Sequence, residues 1–290
     1  MSGTFEVRPS GGPLGADVAG FAADHATLDE IGRLQVALRR HLVLRLRDTA
    51  LTDAAQAALS RQFRTLSSDA AAGDTAAGPP SAILRVTNMK NLDGTPTGVL
   101  GDGEVSWHTD GWFKERPFAV ATLRALIVPA AGGDTHFSNM HAAYDTLPGP
   151  LRAAVAGRSI HHQTVYTEAG PLRPGMSPPA NADIRTWPGV DHPIMRLPAG
   201  AGRPCLYLGR RKQACIAGLP LDESEAMLDA LWHHATQDAL IWTQHWRVGD
   251  VLIWDNRCVL HRRDAFDPNS ARLLHRTSEV GERPEFARSG

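Results

Sequence analysis

Trp254-Asp255-Asn256-Arg257-Cys258-Val259-Leu260-His261 follows directly on the apolar run Val251-Leu252-Ile253. Four apolar residues closed by the turn-forming pair Asp255-Asn256 predict a short buried strand over Val251 to Asp255 and then a turn. His261 is thereby placed at a strand end, where functional groups are commonly mounted. Arg272 lies eleven positions beyond it and Arg276 fifteen. Spaced by four on a strand, the two arginines face one side, with Leu274 between them and Leu273 and His275 turned away. Two guanidinium forks directed into a barrel would be expensive without anions to pair with. Upstream, Ser106-Trp107-His108-Thr109-Asp110-Gly111 contains a His-x-Asp pair. Residues i and i+2 of a strand share a face, so His108 and Asp110 can reach one ion. Two imidazoles and one carboxylate can occupy one face of an iron(II) ion and leave the other open.

Each feature has a plainer reading when taken singly. With 13 histidines in the chain, a His-x-Asp pair is expected about once by chance. It would then be a surface histidine beside a turn aspartate, and the two arginines solvated charges on a surface strand. His161, His162, His233 and His234 read as surface or packing residues.

The rest of the chain supplies the frame. Thr27-Leu28-Asp29-Glu30 has the form of a capping box, and Ile31, Leu34, Val36, Ala37 and Leu38 follow at roughly helical spacing. His41 to Arg47 reads as a strand and Thr52 to Leu66 as a second amphipathic helix. Residues 68–81, rich in Ser, Ala, Gly and Pro, read as a loop and a lid candidate. From Ile83 the texture becomes β, with short apolar runs at Ile83–Thr87, Ala119–Val128, Pro193–Leu197, Cys205–Leu208 and Val251–Asp255. Residues 167–191 read as an inserted, lid-like excursion with no strand. A helix is expected from Leu221 to about Thr236, with Asp222 and Glu225 at capping-box spacing. The fold class expected is mainly β: a double-stranded β-helix (jelly roll) with flanking and inserted α-helices. All 290 residues are expected to form one domain, with a helical N-terminal part to about residue 80 and a jelly-roll core over about 83–280.

Bulk properties narrow the function classes. The formal net charge is −1 and the sequence pI about 6.9, with 21% charged residues, which gives no electrostatic case for nucleic acid or a membrane surface. No run of about 18 apolar residues predicts a spanning helix. Met1 to Ser10 lacks the charged-then-apolar pattern of a secretory signal. Cys205, Cys215 and Cys258 are odd in number and scattered, which fits a reducing cytoplasm better than a disulfide framework. None of them lies at a spacing usual for zinc.

Together these motifs resemble the taurine dioxygenase / 2,4-dichlorophenoxyacetate dioxygenase family of non-haem iron oxygenases. Trp107-His108-Thr109-Asp110 resembles its metal motif, and Gly132-Gly133-Asp134-Thr135 a Gly-Gly-x-Thr element whose Thr135 lies 27 residues after His108. Trp254-Asp255-Asn256-Arg257 through His261 resembles the segment carrying the distal histidine, and Arg272 and Arg276 the two arginines of the last core strand. The likeness extends over essentially the whole chain and is weakest in residues 1–80 and 165–190. It implies that His108, Asp110 and His261 bind Fe(II), and that Arg272, with Thr135, holds the distal carboxylate of 2-oxoglutarate. O2 would be the second cosubstrate, with succinate and CO2 as co-products. Arg276 would meet an anionic group of a small prime substrate bearing a carboxylate, sulfonate or sulfate. The carboxylate of Asp110 favours oxygenation over halogenation. Family members are often dimers or tetramers, so a homo-oligomer is expected. Asn88, Glu104 and Lys114 flank these motifs and are the remaining candidates for substrate contact; turn chemistry and surface exposure are their alternatives.

Two other readings compete. A cupin-like metal enzyme without 2-oxoglutarate would have no need of an arginine clamp. A jelly-roll binding module that had lost its chemistry would not be expected to retain His108, Asp110 and His261 together.

Overall fold

The computed structural model describes residues 5–64, 82–167 and 170–287. An eight-stranded sheet runs in the order β1 (Glu6–Pro9), β2 (Ala16–Ala19), β3 (Val43–Leu46), β15 (Val251–Asp255), β7 (Phe118–Ile127), β17 (Leu273–Val280), β4 (Leu84–Thr87) and β5 (Val99–Leu100). A four-stranded sheet runs β14 (Ile241–Gln244), β8 (Thr135–Asn139), β16 (Val259–Arg263) and β6 (Val105–His108). Three further strands, β10 (Gly189–Pro193), β9 (Ser159–Gln163) and β13 (Ala214–Ile216), form a small sheet, and β11 (Met195–Arg196) pairs with β12 (Cys205–Leu206). The helices are α1 (Leu28–His41), α2 (Asp53–Arg61), α3 (Met140–Asp145), α4 (Gly149–Val155) and α5 (Leu221–Ala235). The two main sheets make the jelly-roll core, with helices flanking and interrupting it.

Burial of β15 explains why its sequence shows no alternation. All five positions are buried. Leu252 and Trp254 pack with Phe137 and Leu260 of the smaller sheet, whereas Val251 and Ile253 pack with Ile31, Leu34 and Leu38 of α1. A central strand covered on both faces reads as a continuous apolar run. Helix α1 begins as its sequence predicts: the Thr27 hydroxyl accepts from the Glu30 amide, and the Glu30 carboxylate accepts from the Thr27 amide at 2.8 Å.

Several expectations need correction. Val36 is 62% exposed, because it falls off the stripe formed by Ile31, Leu34 and Leu38. His41 closes α1, so the following strand is only Val43–Leu46. Strands β1 and β2 precede the first helix where none was anticipated. Asp222 does not cap α5; Pro220 holds that position and Asp222 lies in the first turn, while Glu225 pairs with Arg211. The excursion at 167–191 ends in strand, since Gly189, Val190 and Asp191 pair with β9. The loop expected at 68–81 lies outside the described residues, and α2 ends at Arg61, with Gln62 at its C-cap, short of the expected Leu66. Among the described residues, no helix is long and apolar enough to cross a membrane.

Candidate metal centre and its cavities

β6 ends on His108, and the chain turns at once through Asp110 and Gly111. Asp110 is therefore in a turn and not on the strand, and the two side chains converge by the turn rather than by alternation. Gly111 makes that turn possible: its φ is 75°, and a Cβ there would meet the Phe118 ring at 3.0 Å. β16 pairs with β6 so that His261 lies directly opposite His108, which brings the imidazole centroids to 4.2 Å. One donor atom each from His108, Asp110 and His261 lies within 4.8 Å of the others, and all three residues are buried.

The surroundings orient these groups. His108 Nδ1 lies 2.8 Å from the Ser106 carbonyl, so it donates there and leaves Nε2 as a lone pair on the Asp110 side, 3.6 Å from Oδ1. The His261 ring lies between Phe137, nearly parallel to it at 5.8 Å, and Trp254 at 5.3 Å. Asn256 clamps the Asp110 backbone from both sides: its Oδ1 accepts from the Asp110 amide, and its Nδ2 donates to the Asp110 and Phe118 carbonyls. The Arg276 guanidinium donates to Asp110 Oδ1 at 2.8 Å. Burial alone would raise the Asp110 carboxyl, but Arg276 and the two imidazoles outweigh it and hold the carboxyl far below the usual range. Burial, reinforced by His108, pulls His261 down to about 3. His261 is thus a neutral imidazole and Asp110 an ionised carboxylate, the protonation states a cation requires of them. Asp110 Oδ2 is buried without a hydrogen bond, a position a cation would satisfy.

Two cavities meet at this apex. The inner one, about 50 Å³, lies between the main sheets and is lined by His108, Thr135, Trp254, His261, Arg263, Arg272 and Arg276. The outer one, about 340 Å³, shares Leu100, His108 and Arg276 with it and adds Asp110, Leu84, Phe113, Lys114, Phe118 and Arg173. Arg272 is 1% exposed; burial and neighbouring Arg263 pull its guanidinium down to about 9. Thr135 joins Arg272 in the inner cavity, where its hydroxyl accepts from Trp246 Nε1.

Of the remaining candidates, Lys114 is exposed at the outer cavity, above the Phe118 ring. Glu104 is exposed in an adjoining groove with Arg210 and Lys212. Asn88 lines neither cavity: its carboxamide donates to the Pro268 and Ser270 carbonyls and accepts from the Arg272 amide, bracing the approach to β17. The sequence reading missed Asn256 and Arg263 as site residues. Asn256 stands in the quoted stretch, but its clamp spans 146 residues and only the fold displays it. The structure also gathers His141, Cys205 and Cys258, despite their spacing. In that group the backbone takes up two of the side chains: His141 Nδ1 donates to the Pro204 carbonyl and Cys205 Sγ to the Arg257 carbonyl.

A jelly roll carrying a His-Asp-His group that could hold a metal ion, beside a buried cationic pocket, defines the class. The family described as Taurine catabolism dioxygenase TauD, TfdA family matches residues 6–278, and the chain belongs to it. An alpha-ketoglutarate-dependent 2,4-dichlorophenoxyacetate dioxygenase of Cupriavidus pinatubonensis is 36% identical over 61% of this chain; the match spans 60% of that protein's length. An (S)-phenoxypropionate/alpha-ketoglutarate-dioxygenase of Delftia acidovorans is 32% identical over 98% of both chains. The crystal structure of AAD-2 in complex with Mn(II) and N-oxalylglycine superposes with a TM-score of 0.76 at 25% identity, covering 97% of this chain and 99% of that one.

Proposed function

We propose that this chain is an Fe(II)- and 2-oxoglutarate-dependent dioxygenase that hydroxylates a C–H bond of a small anionic molecule, with succinate and CO2 as co-products. The observation that carries the reading is the adjacency of the His108–Asp110–His261 apex to the buried pocket of Arg272 and Thr135. His108, Asp110 and His261 would hold the metal, which when bound supplies the power to oxidise an unactivated C–H bond with O2. The protein's part is placement and exclusion of water. Arg272 and Thr135 hold the distal carboxylate of 2-oxoglutarate and so fix how far its 2-oxo acid end reaches toward the apex. Arg276 and Asn256 keep the Asp110 carboxylate ionised and aimed. Phe137 and Trp254 fix the His261 ring and keep its surroundings dry.

The outer cavity receives the prime substrate. Lys114, Arg173 and Arg276 bring positive charge to it, and Leu84, Val99, Phe113 and Phe118 give it apolar wall. That combination favours an anion with an apolar body, such as an aryloxyalkanoate or alkyl sulfate, over a compact sulfonate. The names of the Cupriavidus and Delftia relatives point the same way. Succinate release should be measured with aryloxyalkanoates, alkyl sulfates and taurine at equal concentration. Turnover of the first two above taurine supports the reading; preference for taurine or for an uncharged substrate refutes the substrate class.

A further inference from the structure

The inner cavity holds more positive charge than one arginine. Arg263 reaches it from β16, and Arg272 from the residue just before β17. They are 5% and 1% exposed, and among the described residues neither forms an ion pair. Arg263 Nη2 donates to the carbonyls of Gly103 and, at 3.0 Å, Leu100. Its Nε and Nη1 are buried with no acceptor. Arg272 Nη2 donates to the Gly133 carbonyl at 3.2 Å, and its Nε is likewise without an acceptor. The Phe266 ring lies against both guanidinium groups, at 5.4 and 5.8 Å. Asp102 and Asp134 influence the pair only through their fields, and Asp134 is engaged by His245 at 2.6 Å. Two buried, like-charged forks with unfilled N–H groups in one small cavity call for an anion between them.

We propose that Arg263 is a second arginine for the cosubstrate, sharing the distal carboxylate of 2-oxoglutarate with Arg272. Its position also ties the two cavities together. Leu100 lines both, and its φ of 74° is one that a branched side chain adopts only under constraint. The Arg263 guanidinium holds the Leu100 carbonyl. One face of Arg263 therefore meets the cosubstrate, and Nη2 fixes the residue at the boundary with the prime substrate's cavity. This assignment rests on the 2-oxoglutarate reading above.

The test is calorimetric titration of the Mn(II)-loaded protein with 2-oxoglutarate, and with pyruvate, a 2-oxo acid that lacks the distal carboxylate. Arg263→Met should weaken 2-oxoglutarate binding about 10- to 100-fold, as expected for loss of charged hydrogen bonds. It should leave pyruvate and Mn(II) binding unchanged. A merely structural role for Arg263 would weaken all three ligands together, and that result overturns the proposal. So does a folded Arg263→Met protein with wild-type affinity for 2-oxoglutarate. Should Arg263→Met not fold, Arg263→Gln, which keeps a donor for the Leu100 carbonyl, carries the same two outcomes. Arg272→Ala runs alongside to separate the levels. If Arg272→Ala weakens 2-oxoglutarate and the Arg263 variants do not, this inference alone fails. If neither change affects it, the 2-oxoglutarate reading fails as well.

Discussion

The two cavities that meet at His108 are built in opposite ways. The inner one is made mainly from strands: Thr135 on β8, His261 and Arg263 on β16, Trp254 on β15 and Arg276 on β17. Its polar groups are fixed largely by sheet register, and all but the half-buried Arg276 are buried. The outer one draws Gly111 to Lys114, Thr167 and Arg173 from connections between strands, and its cations lie on or near the surface. A strand-built pocket suits a ligand that never changes, because moving one side chain there means moving a sheet. A loop-built cavity can be reshaped without disturbing the core, which suits a substrate that differs between relatives. Arg276 and His108 stand at the border and belong to both.

Substitutions can break that contrast in graded steps. Asp110→Ala removes the carboxylate of the His-Asp-His apex and leaves the half-buried Arg276 without this partner. Succinate formation and Fe(II) binding should both be lost; near-normal turnover would remove Asp110 from the site. Arg272→Ala should raise the Kd for 2-oxoglutarate by about 10- to 150-fold, the loss of one or two charged hydrogen bonds worth about 1.5–3 kcal/mol. Prime-substrate affinity should change little, and an equal loss for both ligands would erase the distinction between the cavities. Asn256→Ala leaves every proposed ligand in place but unclamps Asp110. Metal affinity should fall roughly 10- to 100-fold, measured by competition with a chelator; an unchanged affinity would reduce the clamp to a fold contact. Lys114→Ala should be mildest. An exposed cation contributes about 1 kcal/mol or less, so the KM for an anionic substrate should rise less than tenfold, with 2-oxoglutarate binding untouched. A larger effect on the cosubstrate would move Lys114 to the wrong cavity.

Legibility in the sequence followed the same division. The strand Val251–Asp255 and the capping box at Thr27 could be read directly, because each is set by neighbours within a few residues. Arg272 and Arg276 could be paired by their spacing of four, although Arg272 stands just before β17. His108 and His261, far apart in the chain, are joined by the family resemblance. Asp110 was expected on the strand, yet the bend at Gly111 sets its position. Arg263 was within reach of the same alternation, two residues beyond His261 on β16, but an arginine beside Arg262 and Asp264 at a strand end reads as a solvated charge. Strands β1 and β2 are four residues each, and β1 is mostly exposed, so neither carries the apolar pattern that marks β3. The end of the 167–191 excursion became strand only because β9 offered a partner.

The most direct measurement is an anaerobic titration of metal-free protein with Fe(II) and then 2-oxoglutarate, following the visible metal-to-ligand charge-transfer absorption, with Arg272→Ala in parallel. A band in the wild-type protein that is weaker in the variant at equal 2-oxoglutarate is the predicted result. Folded wild-type protein that binds Fe(II) but develops no band would contradict a pocket built for 2-oxoglutarate beside a metal apex.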